Sequence, residues 1–384
     1  MSEFIKRITA AVTAMTVTLC GSVTAYSEGE VTGIAKAAIV TEASTGQVLY
    51  EYNSHERLPM ASVTKLMCLL IWAEEMEKGT FNMDTVITAT ARANAMDGSV
   101  IWLNVGEEMP AYDMIRSVVI ASANDACVAV CEYIAGTEEM FVERMNKRAQ
   151  ELGMSDTHYD NCVGFDSNTH YTSAYDTAIL SAAVSEYDCY NEFFNTRLDY
   201  VREGERQTQL LNTNKLMQRY DGIIGGKTGT TDKAGCCLAV WAKRGNMKLC
   251  AVALGCKESE QRFTACTDLL DYGFSGFELY RTAVDSDVLT PVTVTEGLEK
   301  QADIRVKRLN TIVIPKGSSK RIEYTHTVVD SLSAPVQYGE KVGEVRASLD
   351  GEEIFYSDIV TTGEVGELNF FSSLLIIIRR FFSM

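Results

Sequence analysis

Pro59-Met60-Ala61-Ser62-Val63-Thr64-Lys65-Leu66-Met67 places a serine and a lysine three residues apart at the head of an apolar run. Leu66, Leu69, Leu70 and Met76 recur at helical intervals until Gly79, so the spacing predicts a helix from Ser62 to about Lys78. On a helix, positions i and i+3 share a face, and the Lys65 amine can reach the Ser62 hydroxyl. A serine hydroxyl attacks an acyl carbon only when a base takes its proton, and lysine is a base only when its pKa is lowered. Alone, the pair also fits a helix-capping serine beside a solvated lysine.

Two later motifs change the balance. Ser122-Ala123-Asn124 falls between two apolar helical runs, where a helix-to-helix turn would present both side chains to a cleft. Ser122 could relay a proton there and Asn124 could bind a substrate amide; a capping serine followed by a turn asparagine is the plainer reading. Lys227-Thr228-Gly229 follows Gly225-Gly226 and precedes Thr230-Thr231. Such a segment can approach a ligand closely and pair with it in β fashion, while Lys227 and the threonines meet its charge. Lys227 is also a candidate for the cation that lowers the pKa of Lys65. The alternative is a glycine-rich turn with an exposed lysine. In order along one chain, the three motifs supply the parts of an active-site serine acyltransferase. At the start of a helix the Ser62 N–H is free to donate to an oxyanion. No GxSxG or HExxH occurs, and His55, His158, His170 and His326 stand in no telling arrangement.

Working outward, Ala37-Ala38-Ile39-Val40 and Gln47-Val48-Leu49-Tyr50 read as a hairpin turned at Gly46. Helices are expected near 110–119, 124–135, 137–152 and 173–186. Strands are expected at Cys237 to Ala242 and Leu249 to Leu254, then a helix from about Ser259 to Asp271. Strands at both ends with helices between them predict an α/β sandwich whose sheet is completed by distant parts of the chain. After about Tyr280, short β-rich runs such as Val292-Thr293-Val294, Thr311 to Ile314 and Glu353 to Tyr356 predict a small all-β domain, with the boundary at Tyr280 to Asp287.

The 384 residues, 46% of them hydrophobic, are enough for a full core and two domains. The net charge of −17 argues against a nucleic-acid partner, which calls for a basic face. Lys6 and Arg7 precede an apolar stretch from Ile8 to about Val23, with small residues at Val23-Thr24-Ala25, the pattern of an export signal over residues 1–25. An uncleaved anchor helix is the alternative. Eleven cysteines in an exported chain raise the question of disulfides, but their spacing fits small buried thiols, and no CxxC pair or zinc-like spacing occurs. Neither a metal nor another cofactor is expected. The tail from 366 to 384 is apolar and aromatic from Phe370 onward, with Arg379 and Arg380 inside it. Its uncharged run falls short of the roughly 20 residues a spanning helix needs. It fits an amphipathic segment on a membrane surface, or a terminal helix docked on the protein.

From about Ala37 to Phe277 the chain resembles the low-molecular-mass penicillin-binding proteins that act as serine-type D-Ala-D-Ala carboxypeptidases. The likeness lies in Pro59 to Met67, in Ser122-Ala123-Asn124-Asp125-Ala126 and in Asp221-Gly222-Ile223-Ile224-Gly225-Gly226-Lys227-Thr228-Gly229. It implies the penicillin-binding/serine β-lactamase-like sandwich with a small C-terminal all-β domain, over residues 26–280 and 287–365. It also implies an enzyme at the outer face of the cytoplasmic membrane. There it would trim D-alanine from peptidoglycan stem peptides ending in D-Ala-D-Ala and be acylated by β-lactam antibiotics. Ser62 would be acylated and Lys65 would be the base. The N–H groups of Ser62 and Thr230 would form the oxyanion hole, and Arg262 would help hold the substrate carboxylate.

Two departures stand out. Val163 occupies a position before Gly164 where the family often has histidine, and the lead-in from Ile223 to Gly226 is longer than usual. A class A β-lactamase shares two motifs but wants a glutamate base in an E-x-x-L-N loop, which is missing between Asn124 and Lys227. A wall-binding scaffold with little turnover is a further rival.

Overall fold

The computed structural model describes residues 33–370 and Ile378, so the export signal and most of the tail lie outside the described residues. Contacts divide the described chain into two units, 33–276 and from Phe277 on.

The first unit is built on one five-stranded sheet. Its strands are β1 (Ala37–Glu42), β2 (Val48–Tyr52), β3 (Ile223–Thr231), β4 (Gly235–Arg244) and β5 (Met247–Cys256), in the order β2-β1-β5-β4-β3. All the ladders are antiparallel, so the first two strands of the chain join three from its distant part. Every residue of β1 is buried, as expected of a strand covered on both faces. Glu42 ends it by accepting four hydrogen bonds on Oε2, from the N–H and hydroxyl groups of Ser44 and Thr45. That closes the predicted turn, with Gly46 at φ +71°.

The helices are α1 (Lys65–Glu77), α2 (Ala111–Ala121), α3 (Asn124–Ala135), α4 (Glu138–Glu151), α5 (Ala174–Val184) and α6 (Ser259–Gly276), with shorter turns between them. Lys65 through Ala73 are all buried, so α1 is a central helix enclosed on every side rather than an amphipathic surface helix. Helices α5 and α6 pack on the central strands. Gly273 lets α6 approach closely, because a Cβ there would lie 2.5 Å from Leu249 Cδ1. One buried carboxylate organises the chain before α2: Asp125 accepts from the N–H groups of Ile101 and Leu103 at 3.0–3.1 Å. This holds Trp102 at φ +55° with its side chain largely exposed.

The second unit is all-β apart from short turns such as Ser319–Arg321. Ile304–Val306, Glu352–Thr361, Lys341–Leu349 and Ile322–Val328 form an antiparallel sheet in that order around a core including Val342, Val345, Phe355 and Ile359. The division falls a few residues before the position read from the sequence. Phe277–Arg281 pairs along its length with Thr311–Pro315, and so belongs to the second unit.

Candidate active site

Ser62 does not lie within an α-helix. Ala61–Thr64 form a 3-10 turn, and α1 begins at Lys65. The turn is entered through Ala61 at φ +49°, a left-handed conformation that alanine adopts only under constraint from its surroundings. Two glycines leave the room this turn needs. A Cβ on Gly164 would lie 2.0 Å from Ala61 O, and one on Gly229 would lie 2.6 Å from Met60 O and 3.0 Å from the Ser62 nitrogen. Gly229 is therefore what lets β3 pass close to the serine backbone. Gly225, expected to admit a ligand, instead lies against the Trp241 ring, where a Cβ would be 2.3 Å away.

Lys65 is fully buried, and its amine has three partners. It donates to Ser62 Oγ at 2.9 Å, to Asn124 Oδ1 at 2.7 Å and to Val163 O at 2.8 Å. Asn124 is fixed from both ends, since its Nδ2 donates to Asp97 O at 2.6 Å. Val163 takes part through its carbonyl, while its side chain is buried. The loop that presents this carbonyl is wound around Asn161 Oδ1, which accepts from the N–H groups of Val163, Gly164 and Phe165. At its far side, Asp166 accepts from Thr231 Oγ1 at 2.7 Å and so ties the loop to the end of β3.

Ser122 ends α2 in the left-handed conformation at φ +63°, and its hydroxyl accepts from Lys227 Nζ at 2.8 Å. Lys227, also buried, gives a second hydrogen to Thr228 O at 2.9 Å. Thr228 Oγ1 donates to Thr213 Oγ1, and Thr230 is exposed at the edge of the sheet. Neither lysine forms an ion pair with a carboxylate among the described residues.

Burial, which disfavours the charged amine, holds Lys65 below its ordinary value. Burial again, and then the charges of Lys65 and Arg262, hold Lys227 well below. Burial thus does for Lys65 what Lys227 was expected to do, and the repulsion between the two amines weighs on Lys227. Arg262 lies behind β3 rather than open in a cleft. It donates to Gly229 O at 3.0 Å, Thr230 Oγ1 at 2.9 Å and Ser259 Oγ at 3.0 Å, so its charge reaches the edge of the strand through Thr230.

Two features are illegible in the motifs. His170 is buried, and its Nε2 lies 2.7 Å from the hydroxyl of Thr64 inside the Ser62 turn, so one of the four histidines has a place in the site after all. The sulfurs of Cys68, Cys127 and Cys131 lie within 4.8 Å of one another, a spacing open to a thiophilic metal. The thiols of Cys68 and Cys127 already donate to Cys162 O, at 3.2 and 3.5 Å, so both sulfurs have a partner within the protein. None of the ten cysteines among the described residues is in a disulfide.

The arrangement holds a half-buried hydroxyl against a buried amine of lowered pKa, beside a second lysine–serine pair and a sheet edge. That set can deprotonate the hydroxyl and hold an extended acyl substrate. Comparison with known proteins gives a consistent result. A family model described as D-alanyl-D-alanine carboxypeptidase matches residues 23–258, and one described as penicillin-binding protein 5, C-terminal domain, matches residues 277–367. D-alanyl-D-alanine carboxypeptidase DacF of Bacillus subtilis is 36% identical over 342 residues, 88% of either chain. DacA of Escherichia coli is 30% identical over 361 residues, covering 91% of this chain and 88% of that one. The crystal structure of penicillin binding protein 5 from Haemophilus influenzae superimposes with a TM-score of 0.77 at 27% identity, over 87% of this chain and 98% of that one.

Proposed function

The chain belongs to the D-alanyl-D-alanine carboxypeptidase family, and from that premise we propose that it removes the terminal D-alanine from peptidoglycan stem peptides through an acyl-enzyme on Ser62. The observation that carries this reading is the 2.9 Å bond between Lys65 Nζ and Ser62 Oγ, made by an amine with no exposed surface. In its neutral form Lys65 takes the Ser62 proton as the oxygen attacks the carbonyl of the penultimate D-alanine. The oxyanion is met by the N–H groups of Ser62 and Thr230. The amine of the terminal D-alanine leaves with a proton passed from the Lys65 or Ser122–Lys227 side, and water then releases the acyl group from Ser62.

The substrate lies along β3, whose outer edge is unpaired in the sheet, so that its backbone extends the ladder. Asn124, Lys227, Thr228, Gly229 and Thr230 line that path, and Arg262 supports the end that meets the substrate carboxylate. β-Lactams, which present a reactive amide carbonyl, acylate the same serine. D-alanine release from a soluble peptide ending in D-Ala-D-Ala tests the reading: wild-type protein should release it and a folded Ser62→Ala variant should not. Release by the variant at the wild-type rate would overturn it.

The same reading places the enzyme outside the cytoplasm. It rests on the export-signal pattern of residues 1–25 and on the tail, where Arg379 and Arg380 interrupt apolar residues in a way suited to the headgroup boundary. Among the described residues no helix is long and apolar enough to cross a membrane. Deleting Phe370 to Met384 from protein whose mature N-terminus has been sequenced should release it from membranes with soluble-peptide activity intact. Continued partitioning with membranes would refute the anchor.

A further inference from the structure

We propose that His170 is a positioning residue for the oxyanion hole, holding the Ala61–Ser62 peptide in the orientation that aims the Ser62 N–H at the reacting carbonyl. The proposal rests on the reading of Ser62 as the acylated residue. It begins from the planarity of the peptide group: the Ala61 carbonyl and the Ser62 N–H share one plane and point in opposite directions, so fixing one fixes the other. The Ala61 carbonyl accepts from Thr64 Oγ1 at 2.8 Å. A hydroxyl has one hydrogen, and here it is spent on that carbonyl, so the Thr64 oxygen meets His170 Nε2, 2.7 Å away, as an acceptor. The other ring nitrogen settles the tautomer independently. The Asp160 N–H donates to His170 Nδ1 at 3.0 Å, so Nδ1 carries no hydrogen and Nε2 must carry it. Hydrogen bonds therefore run in one direction, from the Asp160 N–H through the neutral imidazole and the Thr64 hydroxyl to the carbonyl beside the nucleophile.

The relay has structural work to do because Ala61 sits at φ +49°, from which an unsupported alanine would relax. It is also out of solvent, with Thr64 at 0% and His170 at 2% exposure. The Tyr159 ring stands edge-on to the imidazole at 5.9 Å between centroids. The charged or titratable groups that bear on His170 are Asp160 and His158 on its own segment, Asp166 further along the loop and Lys65 on α1. The relay thus starts in the loop whose Val163 carbonyl holds the base, and ends at the turn that holds the nucleophile. One loop sets the geometry of both.

The test compares His170→Phe, which keeps the ring shape and loses both bonds, with His170→Gln, whose amide supplies an acceptor and an N–H donor. Two readings are taken: the rate of acylation by benzylpenicillin, and the infrared stretching frequency of the resulting ester carbonyl, which falls when oxyanion-hole donors are well aimed. His170→Phe should acylate about 10- to 100-fold more slowly, part of what losing a whole oxyanion donor costs, with the ester band shifted to higher wavenumber. His170→Gln should recover most of the rate and the wild-type band. If His170→Phe does not fold, Thr64→Val and Thr64→Ser put the same question to the next link, with loss expected for valine and retention for serine. A folded His170→Phe that acylates at the wild-type rate overturns the proposal, as does a slowed variant whose ester band has not moved. Wild-type protein that forms no ester overturns the assignment of Ser62 instead, so the two failures are distinguishable.

Discussion

Lys65 Nζ lies 2.9 Å from Ser62 Oγ and gives its other two hydrogens to Asn124 Oδ1 and Val163 O, so the amine is held from three sides with the serine as one of them. When it loses a proton to become a base, the lone pair that appears is already confined to that small set of directions. Arginine at this position keeps the charge but does not deprotonate in proteins. Lys65→Arg should therefore lower the rate of acylation by a fluorescent penicillin by about 100-fold or more, the usual worth of a general base. Lys227 donates to Ser122 and Thr228 rather than to Ser62, and Lys227→Arg should retain distinctly more. Equal losses in the two variants would argue against separate roles.

Gly164 carries a steric demand that can be tested by one methyl group. Its φ is +96° and a Cβ would lie 2.0 Å from Ala61 O, whereas Gly153, at φ +77°, has nothing within 4 Å. Gly153→Ala should cost about 1–2 kcal/mol from backbone conformation alone. Gly164→Ala should cost more, about 3–5 kcal/mol, and should also lose acylation because the Ser62 turn must move. Urea unfolding followed by tryptophan fluorescence measures both, since Trp72, Trp102 and Trp241 all lie in the first unit. Similar destabilisation by the two alanines would contradict the close approach.

Asp125 is a second place where one side chain holds a backbone. Asp125→Ala removes the acceptor from the N–H groups of Ile101 and Leu103 and should cost about 2–4 kcal/mol through unsatisfied donors. It should also free Trp102 from its left-handed conformation, read as lower steady-state anisotropy of its emission in a background where Trp72 and Trp241 are phenylalanine. Unchanged anisotropy would mean that the conformation of Trp102 is held by something else.

His170 should make the first unit sensitive to acid. Burial holds its imidazole down at about 4, against 6.5 in an unfolded chain. Between these values the unfolded chain binds the proton and the folded one does not, so stability from this group is complete above about 6.5 and is lost as pH falls towards 4, by up to about 3 kcal/mol. His170→Gln has no such proton. The difference in unfolding free energy between wild type and variant should therefore drift in favour of the variant from pH 6.5 down to 4. A constant difference across that range would show that the imidazole titrates normally in the folded protein.

What the sequence alone makes legible divides along physical lines. Ser62 and Lys65 were legible as a pair because they stand three positions apart, about one helical turn, and the helix and strand periods after them were strong. Ser122, Asn124, Lys227 and Gly229 were legible as motif members, but the bond between Lys227 and Ser122 joins residues 105 apart and follows only from the fold bringing the end of α2 to Lys227. The Val163 carbonyl was beyond reach for a different reason: it is a backbone atom, and the residue type at that position does not announce it. His170 and Thr64, 106 residues apart, carry no shared pattern, and a buried histidine looks in sequence like any other. The glycines of Gly225-Gly226-Lys227-Thr228-Gly229 looked alike in sequence, yet only the structure separates Gly225, packed on Trp241, from Gly229, packed on the serine turn.

The chemistry at Ser62 is read most directly by mass spectrometry of the folded protein after brief exposure to benzylpenicillin, with the modified peptide located by digestion. A single penicilloyl adduct should form on Ser62, absent in Ser62→Ala and strongly delayed in Lys65→Arg. An adduct on any other residue, or none on wild-type protein that is folded, would contradict the assignment of Ser62.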